Sequence, residues 1–388
     1  MAASWPSRPT RHCSAERRYA GGVNRPRLAV ARAVIGAVAA GVAVTTILSG
    51  CAVNELAVTS NSKLSGTIFG DGASSQRAAQ DAWIAAFQIA HPRATVEYDP
   101  VGSGSGRDAF QAGAIDFTGS DRPFTIEELA SGTFASCRSG SPIIELPAYV
   151  SPIAIVFHLD GIDRLNLDAT TIARIFNGQV QRWDDPEIAD QNPGVTLPSI
   201  LISAVHRSDD SGVTENFTQY LHEAAPNEWS WEPAGTWPIP GGEAAQGTAG
   251  VATAVANGHG TIGYVDGSQA RGRPSVAVKV EDGYVPYSSA AAAAVVDASP
   301  LETGRTAGDL VIAIDRKGAG SGTYPVVLVS YLIGCEHYAD PVQGKLVREY
   351  FDWIVSDTAQ KTAEESAGSA PLPPAFAAQA RAVVAGIR

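Results

Sequence analysis

Three short stretches of the 388-residue chain combine glycine and serine in a way that suits anion capture: Gly72-Ala73-Ser74-Ser75, Gly102-Ser103-Gly104-Ser105-Gly106 and Asp210-Ser211-Gly212-Val213. Each ends a strand-like run and opens a run with helical spacing. A strand-to-helix turn leaves its first backbone N–H groups without intrahelical partners and carries the positive end of the helix dipole. Glycine lets the backbone approach a ligand closely, and serine adds a rotatable hydroxyl donor. Several such ends converging would hold a small oxyanion. One turn of this kind is ordinary in an α/β protein; three in one chain are the signal.

Two charged side chains extend the pattern. Arg207 lies four residues before Ser211 and can offer two parallel N–H groups to an oxyanion. Asp121 follows the strand-like run 114–119, at the end of a strand where open α/β sheets bind ligands. Read singly, the arginine would be a solvated surface group and the aspartate a turn residue. A carboxylate beside an anion makes sense when the anion brings a hydrogen. Phosphate near neutral pH retains at least one and sulfate has none, and a site built on a required hydrogen bond can reject the analogue lacking it by about 10⁴–10⁵-fold.

Other chemistries lack their residues. Position 107 is Arg, so the glycine-rich run at 102–106 misses the G-x-G-x-x-G spacing, and no G-x-x-x-x-G-K-[ST] occurs. The seven histidines contain no H-x-x-x-H pair and the four cysteines no C-x-x-C pair, so neither a metal nor another cofactor is expected. A serine hydrolase or phosphatase needs a base beside its nucleophile. The nearest histidine is His206, and in an extended strand it points away from Arg207.

The elements that must position these residues alternate. Lys63–Phe69 reads as a strand, Gln76–Ala90 as a helix with Ala79, Trp83, Ala86 and Phe87 on one face, Ala94–Asp99 as a strand, Arg107–Ala112 as a short helix and Ala114–Gly119 as a strand. Thr125-Ile126-Glu127-Glu128 has capping-box spacing. Further strands are expected at Pro152–His158, Ser199–His206, Thr261–Val265 and Tyr324–Ile333. Helices are expected at Asp168–Phe176, Val213–His222, Gly247–Ala256, the alanine run from Ala290, Gln343–Val355 and Pro374–Ile387. Alternation of this kind implies α/β layers around a parallel sheet, most simply divided into two lobes.

The formal net charge is −12, with 18% charged and 45% hydrophobic residues, which excludes a disordered or coiled-coil chain and argues against nucleic-acid wrapping. Residues 1–50 differ from the rest. They hold seven of the 28 basic residues and one of the 40 acidic ones, and the segment Ala33–Val53 is uncharged. A basic stretch followed by an apolar one is the layout of an export signal. It ends Leu48-Ser49-Gly50-Cys51, which resembles the bacterial lipoprotein signal, in which the cysteine is lipidated. Loss of 1–50 would leave a net charge of −18, a polar tether at 51–63, and Cys137 and Cys335 as the remaining cysteines, expected to pair outside the cytoplasm.

Longer motifs now become recognisable: Asp116-Phe117-Thr118-Gly119-Ser120-Asp121, Ile175-Phe176-Asn177-Gly178, Arg182-Trp183-Asp184-Asp185-Pro186, His206-Arg207-Ser208-Asp209-Asp210-Ser211-Gly212, Asn216–Leu221, Gly260–Val265 and Phe351-Asp352-Trp353. With them, from about Lys63 to the C-terminus, the chain resembles the extracytoplasmic phosphate-binding subunit of bacterial high-affinity phosphate ABC transporters. The resemblance implies a two-lobed periplasmic-binding-protein fold of type II, each lobe a mixed sheet flanked by helices with the ligand in the interlobe cleft. Lobe I would comprise 64–155 and 326–388 and lobe II 156–325, with hinge strands near Ser151–His158 and Tyr324–Ser330. It implies phosphate contacts at Ser74, Ser75, Ser103, Asp121, Arg207, Ser211, Gly212 and Val213, with Asp209 orienting Arg207 and no catalytic residue. Two positions depart from the family: 75 is often aromatic and 213 usually Thr. Arg107 and Arg122 flank the turns and would either raise the local potential or point into water. The expected partners are inorganic phosphate, an ABC permease with its cytoplasmic ATPase, and the membrane through a lipid on Cys51, the protein itself being monomeric. The alternatives are another tetrahedral oxyanion, sulfate or molybdate, and an extracytoplasmic phosphatase.

Overall fold

The computed structural model describes residues 62–317 and 320–388; the expected signal segment 1–50, the expected lipidation site Cys51 and the expected tether up to residue 61 lie outside the described residues. Along the chain the elements are β1 (Ser65–Gly72), α1 (Arg77–Ala90), β2 (Arg93–Asp99), α2 (Ser103–Gln111), β3 (Phe117–Ser120), α3 (Ile126–Ser131), β4 (Ile143–His158), β5 (Arg164–Leu167), α4 (Ala169–Phe176), α5 (Pro186–Ala189), β6 (Ser203–Arg207) and α6 (Gly212–Ala224). They continue with β7 (Glu243–Ala245), α7 (Gly247–Asn257), β8 (Thr261–Asp266), α8 (Gly267–Ala270), β9 (Ser275–Val280), β10 (Gly283–Pro286), α9 (Ser289–Asp297), β11 (Val327–Cys335), α10 (Pro341–Ile354), α11 (Asp357–Ala367) and α12 (Pro374–Val384).

The strands run in the order β2-β1-β3-β11-β4-β8-β6-β7. The sheet is mixed rather than parallel throughout. The two outer groups, β2-β1-β3 and β8-β6-β7, are parallel. The central strands β11 and β4 pair antiparallel with each other, β11 with β3, and β4 with β8. Parallel strands need helical crossovers, so the parallel groups are where strand-to-helix turns arise.

β4 explains the long apolar run of the sequence. Fifteen of its sixteen residues are buried, as expected of a strand covered on both faces. It feeds two large hydrophobic cores and a smaller third. Ile143 to Val150 lie in a first core with Trp83, Phe87, Phe110, Phe117 and Tyr350. Ile153, Ile155, Phe157 and Leu159 lie in a second with Ile172, Trp183, Phe217 and Trp229, while Ala154 and Val156, on the opposite face, pack with Val205, Val251 and Val265. Although the sequence groups 156–325 together, Ala292, Val295, Val296 and Leu310–Ile312 pack into the first core, because α9 lies against β4 rather than following β9 and β10 outward.

Local sequence accounts for the helix starts. Thr125 and Glu128 form a full capping box at α3, and Asp168 and Ser211 accept the backbone N–H three residues on at α4 and α6. The helix expected from Arg107 begins earlier, at Ser103. Gly102, at φ +111°, makes the sharp entry, and the Ser-Gly-Ser-Gly run becomes the first turn of α2. Helix α11 and the β9–β10 hairpin were not legible in the sequence. Cys137 and Cys335, 198 residues apart, form a disulfide with a Cα–Cα distance of 5.3 Å. No described helix is long and apolar enough to cross a membrane, and no cluster of three or more potential metal ligands occurs among the described residues.

Candidate anion-binding site

The three glycine–serine turns meet. Ser103 Oγ accepts the backbone N–H of Asp121 at 3.1 Å, and a Cβ at Gly212 would lie 2.9 Å from Ser103 Oγ and 2.6 Å from Asp121 Cβ. Gly104 N donates to the carbonyl of Asp210 at 3.3 Å, and Gly102 passes so close that a Cβ there would sit 2.7 Å from Asp209 Oδ2. The glycines are what permit these approaches. Ser74 Oγ accepts the backbone N–H of Thr248 at 3.1 Å, which brings in a fourth helix start, that of α7. The N-terminal ends of α2, α6 and α7 and the turn before α1 therefore converge on one small volume. Ser75, Ser103, Asp121, Arg207, Ser211 and Val213 are all buried, Ser74 and Asp209 half-buried.

Arg207 ends β6 and is clamped from one side. Its Nε donates to Asp209 Oδ1 at 2.8 Å and its Nη2 to Asp209 Oδ2, a bidentate pair. Its Nη1 reaches Thr248 Oγ1 at 3.4 Å. Among the described residues three of its five N–H groups thus have partners. Burial raises the Asp209 carboxyl, but the hydrogen bonds and charge of Arg207, with the N–H of Gly247, outweigh it and leave the group below the usual carboxylate range. The backbone N–H of Arg207 is held by Tyr264 Oη at 3.3 Å, which also pairs with Thr214 Oγ1 at 2.8 Å. The guanidinium is thereby fixed from strand, helix and side-chain partners together.

Asp121 is the one deeply buried carboxylate facing this volume from the β3 side. The Ser75 hydroxyl donates to it, lying 2.7 Å from both carboxylate oxygens, and Ser330 donates to Oδ1 at 2.6 Å. Burial pushes its pKa up from 3.8 to about 6, while the bonds from Ser330 and Ser75 and the charge of Arg207 pull it down and Asp266 adds an upward push. The hydroxyl of Ser75, at a position where the family is often aromatic, therefore serves Asp121. Val213 sits in the second core with Phe217 and Tyr264, so its side chain packs and only its N–H belongs to the first turn of α6.

The flanking arginines neither aim at the cluster nor point into water. Arg122 pairs with Glu215 at 2.9 Å and Glu128 at 3.2 Å, and Arg107 is buried over the Phe124 ring. His206 contacts the carbonyls of Arg207 and Gly241 and stacks on Trp237, so it is no base for Ser211. Thr248, Ser330, Asn216 and Gln76 are additions that the sequence reading missed. Only Gly247-Thr248, a fourth glycine–hydroxyl helix start, carried a signal of the same kind.

A mixed sheet with two large cores and converging helix starts is the architecture of a two-lobed solute-binding protein, and a family model described as a PBP superfamily domain matches residues 57–358. Phosphate-binding protein PstS 3 of Mycobacterium leprae is 34% identical over 316 residues, covering 80% of this chain and 84% of that protein. PstS 3 of Mycobacterium tuberculosis is 31% identical over 360 residues, covering 89% and 95%. The chain belongs to this family of PstS phosphate-binding proteins within the PBP superfamily. Among solved structures, a high-affinity periplasmic phosphate-binding protein (PfluDING) bound with phosphate has a TM-score of 0.66 at 24% identity, covering 82% of this chain and 93% of that one. That likeness speaks to the fold.

Proposed function

We propose that the chain is an extracytoplasmic binding protein that captures inorganic phosphate and delivers it to an ABC permease. One observation carries the reading: a buried carboxylate, Asp121, faces the same small volume as four helix starts and Arg207. Backbone N–H groups at Ser74, Ser75, Gly212 and Val213, the hydroxyls of Ser103 and Ser211 and the two remaining N–H groups of Arg207 supply donors to the phosphate oxygens, the N–H of Ser211 being spent on the carbonyl of Gly235. Asp121 accepts the hydrogen that phosphate retains. Asp209 holds Arg207 in orientation. Local dipoles and one guanidinium act within a few ångströms, so an acidic chain can bind an anion, its distant charges being screened beyond ~8–10 Å.

The lobes assigned to this reading are 64–155 with 326–388, and the larger part of 156–325, with α9 and 310–312 carried by the first. The hinge runs through β4 and the segment entering β11, and closure over dehydrated ligand creates the form that docks on the permease. The monomeric protein is held at the membrane by a lipid on Cys51.

Calorimetric titration tests the assignment. Phosphate should bind and sulfate should bind far more weakly; equal affinities would remove Asp121 from its role. The phosphatase alternative has no support in the geometry of His206, and p-nitrophenyl phosphate should not turn over. Cys51→Ala should move the protein out of the membrane fraction.

A further inference from the structure

A chain of buried hydrogen bonds runs behind Asp121, and its direction is set from the end away from the site. Gln76 Nε2 lies 2.9 Å from the carbonyl oxygen of Tyr331. A carbonyl only accepts, so this end of the amide must be the nitrogen. The second hydrogen of that nitrogen goes to Ser330 Oγ at 2.7 Å. Ser330, already receiving one hydrogen, turns its own toward Asp121 Oδ1 at 2.6 Å. Upstream, Gln76 Oε1 accepts from Gln80 Nε2 at 2.8 Å, and Gln80 Oε1 accepts from the Tyr350 hydroxyl at 2.6 Å. Tyr350, Gln80, Gln76 and Ser330 are all fully buried. The strand geometry is built for it: the β11–β4 register shifts between Ser330 and Tyr331, and a bulge re-aims side chains beside a site. That irregularity sets the Ser330 hydroxyl and the Tyr331 carbonyl within reach of one amide nitrogen.

We propose that Ser330 and Gln76 are specificity-determining positioning residues, which hold Asp121 as a pure acceptor and so make the site demand a hydrogen from its anion. The inference rests on the phosphate reading above and goes beyond it. A serine hydroxyl free to rotate could accept from a protonated Asp121 as readily as donate to the ionised one. The neutral acid would then be supported, and it would donate to sulfate instead of accepting from phosphate. With Gln76 filling one lone pair of Ser330, the hydroxyl hydrogen has Asp121 Oδ1 as its acceptor, and the donating arrangement is favoured over the accepting one. The other groups facing Asp121 are Ser75, Arg207, Asp266, Tyr98 and Tyr149. Arg207 favours the ionised form and Asp266 opposes it, and Tyr98 spends its hydrogen on the Ala73 carbonyl. The chain through Gln76 and Ser330 is the one ordered from its far end, by the Tyr331 carbonyl that fixes the Gln76 amide.

The test is calorimetry on the full chain, with phosphate and with sulfate, from pH 5 to 8.5, for wild type, Ser330→Ala, Ser330→Thr, Gln76→Met and Asp121→Asn. Losing the Ser330 donor should raise the midpoint of the acidic fall in phosphate affinity by about one pH unit and move the phosphate-to-sulfate preference about tenfold toward sulfate. Ser330→Thr should restore both, and Gln76→Met should shift both in the same direction. A loss of packing alone would weaken phosphate equally at every pH and leave the preference untouched. The midpoint and preference remaining at wild-type values in Ser330→Ala, or in Gln76→Met should the alanine variant not fold, overturn the proposal. If Asp121→Asn relaxes the preference while those variants do not, the phosphate reading stands and only this inference falls. If wild type prefers sulfate or binds neither anion, both fall.

Discussion

Asn216 donates one amide hydrogen to the backbone carbonyl of Asp121 at 2.7 Å and another to that of Gly212 at 2.9 Å. Its Oδ1 accepts from the buried Arg316, whose other nitrogen grips the carbonyls of Pro325 and Val327 at 2.9 and 2.7 Å. One side chain on α6 therefore joins the loop carrying the carboxylate, the helix start that faces it and the entry to β11. Replacing Asn216 with Ala would leave the Asp121 carbonyl and a guanidinium N–H of Arg316 without partners, while the Gly212 carbonyl keeps its helical N–H. The expected loss is about 1–3 kcal/mol of stability for an unsatisfied buried group, read from urea unfolding. Phosphate affinity should fall at least about tenfold, because 1.4 kcal/mol is a factor of ten and the clamp joins both sides of the site.

Asp121 gives opposite pH signs for binding and for stability. Its folded pKa of about 6 lies above the ordinary 3.8. Below about 6 it takes up a proton and can no longer accept the phosphate hydrogen, so affinity should fall between pH 7 and pH 5. The ligand-free protein behaves in the other sense. A raised native pKa means that the native state binds the proton more tightly than the unfolded one, so this group's contribution is complete below about 3.8 and is lost as pH rises through 6. Thermal melts with and without phosphate should therefore show a ligand-induced gain that shrinks on acidification. Asp121→Asn should flatten both dependences.

Arg207 is held on one side by Asp209 and reaches Thr248 on another. Arg207→Ala removes the only arginine charge in the cluster and should cost more phosphate affinity than any single serine replacement. Arg207→Lys should recover little, since an ammonium cannot hold the paired bonds to Asp209 while presenting two further N–H groups. Asp209→Asn keeps one acceptor and should cost less than either. Calorimetric Kd values for the three variants rank them directly.

What was legible in the sequence follows from where the signal is local. The three glycine–serine turns, the capping box at Thr125 and the continuous apolar run of β4 all announce themselves within a few residues. Asp121 and Arg207 were legible because strand ends are where such groups matter. Ser330 was not, since a serine inside an apolar strand carries no mark of the bulge that aims it at Asp121. Gln76 and Asn216 were hidden for a related reason: their partners lie 254 and 95 residues away, and helical periodicity says nothing about which polar side chain a distant loop will meet. The place of α9 in the first core was equally invisible, because alanine spacing marks a helix but not the surface it covers.

The Cys137–Cys335 bond offers a check on the scaffold separate from the site. It closes a loop of 198 residues, ties the segment after α3 to the end of β11, and touches none of the anion-cluster side chains. Its main effect should be on the unfolded chain, so Cys137→Ser with Cys335→Ser should lower stability by about 2–4 kcal/mol, measured by denaturant unfolding against the oxidised wild type. Phosphate Kd at 25 °C should not move. β11 also carries Ser330, five residues before Cys335, so the alternative outcome has a distinct meaning. An altered Kd with unchanged stability would show that the bond holds the register of β11 against β4, and that the aim of Ser330 depends on it.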